Sequence, residues 1–324
     1  MKNIAIVAGG YSGEAEISYK SAGAISRNID PALYRVFIIR ITRESWYYES
    51  NEGLRTEIDR NDFSLTQNNS KIKFAAVFIA IHGTPGEDGK LQSYFDMLGI
   101  RYNTCDAITS SLTFNKNFCK QVVASLGIHT AKSLTFYNGE TIDTEAVISY
   151  LGLPCFVKPN NGGSSIGMSK VMKKTGLKKA IAKAFHEDDQ IIIEEFVEGI
   201  ELTCGMMRSG NKVIVFPVTQ IVPVERPFFD YEAKYLNKSN EITPAPVSES
   251  IHIECKRISA FIYKRINCRG IVRFDYIYAK KKFHFLEVNT VPGQTDQSIV
   301  PQQARAMGIS QKELYAMVIE DMLK

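Results

Sequence analysis

From Asn3 to about Asn103 the chain alternates nearly continuous apolar runs with polar or amphipathic stretches: "IAIVAGG", "EAEISYKSAGAISRNI", "RVFIIRI", a polar insert, then "FAAVFIAIHG". Apolar runs separated by a helical pattern predict a small parallel sheet buried on both faces. Between Cys105 and His129, "TSSLTFNKNFCKQVVASLG" has helical apolar spacing and stops at Gly127, which predicts one helix with a glycine cap. There follow the strand "SLTFY", the helix "TEAVISYLG", the strand "PCFVKP", a glycine-rich loop, the strand "GMSKVMKK", the helix "GLKKAIAKAF" and the strand "QIIIEEFVEG", which make an α+β unit. Strands dominate after Glu201, interrupted by "VERPFFDYEAKYLNKSNEITPAP", an excursion of the length usually kept for function. The end is helical, with Ser310 and Glu313 at capping-box spacing and Leu314, Met317, Val318 and Met322 on one face. The expected fold class is α/β (α+β) in three parts, residues 1–103, 104–197 and 198–324.

Composition narrows the function classes. With 324 residues and 44% hydrophobic content the chain can bury a sizeable core. A net charge of +4 within a 23% charged fraction is near the average for soluble proteins and gives no case for nucleic acid. The run "IAIVA" is too short for a signal peptide, and no stretch approaches the ~20 apolar residues of a membrane span, so a cytoplasmic protein without a membrane partner is expected. Six widely spaced cysteines lack any C-x-x-C pair, which argues for reduced thiols and against structural zinc.

The most informative segment is "GIVRFDYIYAKKKFHFLEVNTVPG", two alternating strands around Lys280, Lys281 and Lys282. If that turn is a three-residue loop, Ala279 pairs with Phe283, Asp275 opposes Glu287 and Arg273 opposes Asn289. A two-residue turn would instead separate the carboxylates. Facing like charges ask for a cation between them, and Glu287 and Asn289 share a face in any register. Two carboxylates and an amide, with no thiol or imidazole, suit magnesium together with nucleotide phosphates. The competing reading, a solvated charged hairpin, sits poorly with the neighbouring Phe274, Tyr276, Phe283, Phe285 and Leu286.

Phosphates need a cradle, and the chain contains no G-x-x-x-x-G-K-[ST]. "FVKPNNGGSSIG" can serve instead: Gly162, Gly163 and Gly167 let backbone N–H groups approach phosphate oxygens, Ser164 and Ser165 donate hydroxyls, and Lys158 adds positive charge. "GSSIG" also matches G-x-S-x-G, and "HGTPGEDG" is a His-Gly loop of the kind that esterases use. A nucleophile elbow on Ser165 needs a helix directly after it, whereas "IGMSKVMKKT" reads as extended. "AGGYSG" lacks the first glycine of a dinucleotide-binding G-x-G-x-x-G.

Taken in order, "GGYSGEAEIS", "HGTPGEDG", "VKPNNGGSSIGMSKV", "IIIEEFVEGIELT", "FDYEAKY", "GIVRFDYIY" and "LEVNTVPGQTDQSIVPQQA" resemble the D-alanine:D-alanine ligases of the ATP-grasp superfamily over essentially the whole chain. The resemblance implies a three-domain ATP-grasp fold and a homodimer. It implies ATP-dependent joining of two D-alanine molecules through an acylphosphate, for peptidoglycan synthesis, with magnesium as cofactor, two ions expected and Mn2+ able to substitute. Relatives using D-lactate or D-serine as acceptor mark the alternative.

The resemblance also implies roles. Glu14 would hold the ammonium of the first D-alanine, with His82 beside that substrate. Lys116, Lys158 and Ser165 would meet nucleotide phosphates, and Glu194 and Glu201 the adenine and ribose. Asp275, Glu287 and Asn289 would bind magnesium, and Arg273 and the Gly293 N–H would stabilise the tetrahedral intermediate. Ser298 and Ile299 would grip the second D-alanine. Lys234 would reach the γ-phosphate from a closing loop, while Tyr235 would bond Ser164, which orients Glu14; relatives making D-alanyl-D-lactate carry histidine in that loop. Three positions depart from many relatives: Asn115 stands where they carry aspartate, and Gln294 and Asp296 where they carry methionine, serine or alanine. Asn115 bears on the role of Lys116, and Gln294 and Asp296 on the second-substrate pocket.

Overall fold

A computed structural model describes residues 1–50, 52–163, 165–223 and 239–324. The first sheet has seven strands in the order β6-β5-β4-β3-β2-β1-β7. Its heart is the parallel trio β2 (Tyr34–Ile41), β1 (Lys2–Gly9) and β7 (Ala76–Ile79), the apolar runs of the sequence, with helix α1 (Ala15–Asn28) crossing between β1 and β2. The polar insert, to which the sequence reading gave no elements, is itself sheet: β3 (Trp46–Glu49), β4 (Arg55–Asp59), β5 (Ser64–Gln67) and β6 (Ser70–Ile72) extend the parallel core as an antiparallel meander. These strands are three to five residues long and carry few apolar positions, too few to show a period. Helix α2 (Lys90–Leu98) follows the loop after β7.

The stretch expected as one helix is two, α3 (Ala107–Phe114) and α4 (Lys116–Ser125). Asn115 breaks it: its backbone is extended and its side chain accepts from the Phe118 N–H, so it caps α4. Gly127, at φ +82°, closes α4 as expected, its N–H bonding Ala124 O. The second sheet, in the order β10-β9-β11-β8, contains β8 (Ser133–Tyr137), β9 (Cys155–Pro159), β10 (Ser169–Val171) and β11 (Gln190–Glu195), flanked by α5 (Thr144–Leu151) and α6 (Leu177–Glu187). Its apolar core is its own, from Val147, Val157, Leu177, Ile191 and their neighbours.

The third sheet, β14-β13-β12-β15-β16, is antiparallel and comprises β12 (Ile200–Ser209), β13 (Lys212–Pro223), β14 (Ser239–Ile242), β15 (Ile271–Ala279) and β16 (Lys282–Asn289). Helix α7 (Glu249–Arg265) covers one face together with α4. Helices α8 (Ile299–Ala306) and α9 (Gln311–Met322) join the other face to the first sheet, with Tyr315 against Phe78 and Met207, Phe216 and Val300 in the same core as Ile4 and Ile25. The Ser310–Glu313 capping box starts α9 as its spacing predicted. The six cysteines are buried and unpaired.

Candidate active site

The β15–β16 hairpin corrects the premise about its turn and keeps the conclusion. Ala279 pairs with Lys282 around a two-residue turn, with Lys280 and Lys281 at φ +47° and +60°, as a type I′ turn requires. By itself this would put the carboxylates on opposite faces. A bulge between Asp275 and Tyr276 leaves Leu286 unmatched, and the register beyond it has Asp275 opposite Glu287 and Arg273 opposite Asn289. Phe283, Phe285 and Val288 face the core, while Leu286 and Glu287 face a cavity.

Arg273 and Asp275, each 5% exposed, form a bidentate pair: Arg273 Nε lies 2.9 Å from Oδ1 and Nη2 2.7 Å from Oδ2. Thr203 Oγ1 donates to Oδ1 at 2.5 Å and Asn289 Nδ2 to Oδ2 at 3.0 Å. Arg273 and Asp275 thus form a buried ion pair. Glu287 is a third exposed, and Lys116 Nζ stands 4.0 Å from its Oε2. Asp275, Glu287 and the Asn289 amide are hard oxygen donors on one face, a set that fits a divalent cation such as magnesium. Among the described residues no group of three or more His, Cys, Asp or Glu is arranged as a metal site, so such an ion needs outside ligands such as water or phosphate.

Facing the hairpin is the loop after β9. Ser165 sits at φ +58° and Gly167 at +75°, and the chain then enters β10, with no helix before Lys174. The serine therefore lacks the helix of a nucleophile elbow. Lys158, at the end of β9, lies 2.5 Å from Glu194 Oε2 on β11, and Lys120 on α4 holds Oε1 of the same carboxylate. Burial opposes ionisation of Glu194, but the two ammonium groups hold its carboxyl far below the usual range. Burial likewise works against the Lys158 charge, and Glu194 outweighs it, so the lysine pKa is raised.

Lys116 donates to Gly162 O. Asn115, the departure just before it, donates its Nδ2 to Gln190 Oε1 at 3.2 Å, an oxygen that also accepts from Asn160 Nδ2 at 2.6 Å. An aspartate could cap α4 equally well but could not make that donation. The cavity between hairpin and loop measures about 470 Å³. Lys116, Lys158, Ser165, Glu194, Glu201, Arg273, Asp275 and Glu287 all line it, with Phe156 and Phe196 as an apolar wall.

A second cluster meets the first at Gly163. Glu14, 4% exposed at the start of α1, lies so close to Gly163 that a Cβ there would stand 2.7 Å from its Oε2. Gly83, at φ +69°, approaches the same oxygen, and a Cβ there would stand 2.9 Å from it. His82, at the end of the β7 segment, bonds Val291 O through Nδ1 at 2.8 Å and Ser21 Oγ through Nε2 at 3.1 Å. The carbonyl can only accept, so Nδ1 carries hydrogen. Ser21 Oγ in turn accepts from the Gln294 N–H at 3.2 Å.

Beyond Asn289, Gly293 packs against Ser298, whose Oγ accepts from Thr295 N at 3.0 Å and whose backbone caps α8 ahead of Ile299. Gln294 is 3% exposed, and its Oε1 takes no hydrogen bond among the described residues. Asp296 is exposed, so its charge is solvated and lies outside the buried pocket. Glu87 binds this segment to the His-Gly loop, accepting from Gly83 N at 2.7 Å and Val291 N at 3.1 Å.

Models of the D-ala D-ala ligase N-terminus and C-terminus match residues 3–105 and 122–320. The chain belongs to the D-alanine–D-alanine ligase family. It is similar to the D-alanine–D-alanine ligases of Phocaeicola vulgatus, at 44% identity over 99% of both chains, and of Parabacteroides distasonis, at 45% over 100% of this chain and 98% of that one. Among solved structures it resembles D-alanyl-alanine synthetase A of Vibrio cholerae, with TM-score 0.89 and 26% identity over 99% and 98% of the two chains. It also resembles the VanG D-Ala:D-Ser ligase of Enterococcus faecalis, with TM-score 0.86 and 32% identity over 98% of each.

For a D-alanine–D-alanine ligase family member, the sequence reading named seven of the nine charged side chains that line the cavity among the described residues. Ser164, Lys234 and Tyr235 lie outside the described residues. It missed Glu195 and Glu198 in that lining and, outside it, Ser21, Glu87 and Lys120. Glu87 stands inside a motif already singled out, and Lys120 lies one helical turn from Lys116; both spacings were available signals.

Proposed function

We propose that the protein uses ATP to phosphorylate the carboxylate of one D-alanine and lets the amine of a second displace phosphate, giving D-alanyl-D-alanine for peptidoglycan synthesis in the cytoplasm. The observation that carries this reading is the junction at Gly163, where a cavity lined by Lys116, Lys158, Arg273, Asp275 and Glu287 meets the buried carboxylate of Glu14. A nucleotide in the cavity would lay its base along Phe156 and Phe196 near Glu194 and Glu201, with its phosphates toward Lys116, Lys158, Ser165 and the glycine N–H groups. Asp275, Glu287 and Asn289 would hold Mg2+, one ion or two, with Mn2+ able to substitute. The metal would neutralise charge on the transferring phosphoryl group.

Glu14 binds the first ammonium, and His82 fixes the adjacent wall. Arg273 and the Gly293 N–H face the oxygen that turns anionic when the amine attacks, and losing one such donor costs about 10²-fold in rate. Ser298 and the Ile299 N–H receive the second carboxylate at the start of α8, where the helix end favours an anion. The functional units are residues 1–103, 104–197 and 198–324, and the assembly is a homodimer without nucleic-acid or membrane partners. No helix among the described residues is long and apolar enough to cross a membrane.

Phosphate release should require ATP, Mg2+ and D-alanine together. Equal turnover with L-alanine would overturn the reading. A second reading, D-serine or D-lactate as acceptor, is favoured only by the polar Gln294 beside the second pocket and by the likeness to a D-Ala:D-Ser ligase. Chromatography of products from mixed acceptors at several pH values separates the two.

A further inference from the structure

Among the described residues, the wall of the cavity presents six carboxylates, from Glu194, Glu195, Glu198, Glu201, Asp275 and Glu287, against three cations, Lys116, Lys158 and Arg273. That balance is unfavourable for a polyanionic nucleotide. It is worse than the count suggests, because Arg273 is committed to Asp275 and Lys158 to Glu194. A lysine–glutamate pair alone is neutral toward anything that approaches it. Behind the wall, outside the cavity lining, stands Lys120, 4% exposed. Its Nζ donates to Ala131 O at 3.0 Å and to Glu194 Oε1. Lysine is almost never buried so completely without a partner, and here the partner is the carboxylate that also holds Lys158.

We propose that Lys120 is a positioning residue for the nucleotide phosphates: it takes one oxygen of Glu194, fixes that carboxylate, and gives the Lys120–Glu194–Lys158 cluster a net positive charge toward the cavity. The arrangement links helix α4 to the strand that carries Lys158. Lys116 leaves the same helix face one turn earlier and reaches Gly162 O in the glycine loop. Helix α4 thus sets both lysines, Lys116 through its own side chain and Lys158 through Glu194. Without Lys120, Glu194 would have Lys158 as its sole ammonium partner in the cluster and would draw that group back from a phosphate.

This inference rests on the cavity being the nucleotide site, and the test separates the two. Steady-state kinetics of the full chain with ATP and D-alanine varied in turn are measured for the wild type, Lys120→Met, Lys120→Gln and Lys120→Arg, alongside calorimetric unfolding. Lys120→Met and Lys120→Gln should raise KM for ATP about tenfold or more, with KM for D-alanine within about twofold, and Lys120→Arg should recover most of the loss. If Lys120→Met does not fold, Lys120→Gln keeps a donor for Glu194 and carries the test. Unchanged KM for ATP in a folded variant, or equal shifts for both substrates, would overturn the role of Lys120. A wild type indifferent to ATP would instead overturn the functional reading itself.

Discussion

Glu287 and Gln294 show at the level of single residues how differently two polar groups can be tied to their surroundings. Glu287 is a third exposed, and among the described residues its ion-pair partner is Lys116 at 4.0 Å, so that pair adds little to folding. It faces Asp275 across the ladder, where a second carboxylate is unfavourable until a cation lies between. Glu287→Gln should therefore lower turnover by about 10²-fold or more while the unfolding midpoint stays the same or rises slightly. ADP release coupled to NADH oxidation and calorimetry read the two quantities, and near-normal turnover would refute the metal role. Gln294 is buried, with Nε2 bonded to Pro292 O and Oε1 unmatched among the described residues. An unmatched buried acceptor costs about 1–3 kcal/mol. Gln294→Met keeps the volume, removes that cost and loses one bond, so the midpoint should rise by about 2–4 °C. A fall would mean that Oε1 has a partner, such as a trapped water or a substrate group.

At the level of elements, the long apolar strands and the capped helices were legible because each carries its own period or cap. The apolar runs became β1, β2 and β7, and Gly127, Ser310 and Glu313 ended or began helices where their chemistry said they should. The meander β3–β6 was hidden because strands of three to five residues, half exposed, have no period to read. The break between α3 and α4 was hidden because Asn115 fits a helix interior tolerably and its capping role appears only in three dimensions. The β15–β16 hairpin is the instructive case. A three-residue turn, or a two-residue turn with one bulge, gives the same facing pairs, so the pairing of Asp275 with Glu287 was expected on a turn that the chain does not make and is restored by a bulge that no local pattern announced. Deleting Leu286 should then produce a regular hairpin with that pairing intact, and the variant should remain soluble and folded by circular dichroism. KM for ATP should rise severalfold, because Leu286 lines the cavity. Loss of folding would show that the bulge supplies twist that the third sheet needs.

At the scale of the whole molecule, the three sheets are not bound equally. The first and third share an apolar core through α8 and α9, whereas the second keeps a core of its own. What ties the second sheet to the rest around the cavity is polar: Lys120 to Glu194, the Asn117 N–H to Asn160 Oδ1 at 2.9 Å, Lys116 to Gly162 O, and the approach of Gly163 to Glu14. The site therefore lies where independently built parts meet, and its geometry depends on a few close contacts. Gly163 tests this most directly. A Cβ there would stand 2.7 Å from Glu14 Oε2 and 3.0 Å from Oε1, and Gly83 also crowds Oε2. Only the end of the Glu14 side chain must move, but it would leave the position proposed for the first ammonium. At Gly162 the nearest atom to an added Cβ is Pro159 Cβ at 4.0 Å, so alanine fits there. Gly163→Ala should lower kcat/KM for D-alanine by about 10²-fold, the loss typical of an ångström-scale misplacement. ATP affinity and the unfolding midpoint should change little, and Gly162→Ala should cost much less. Equal losses in the two variants would mean that the loop acts through flexibility and that the contact with Glu14 is incidental.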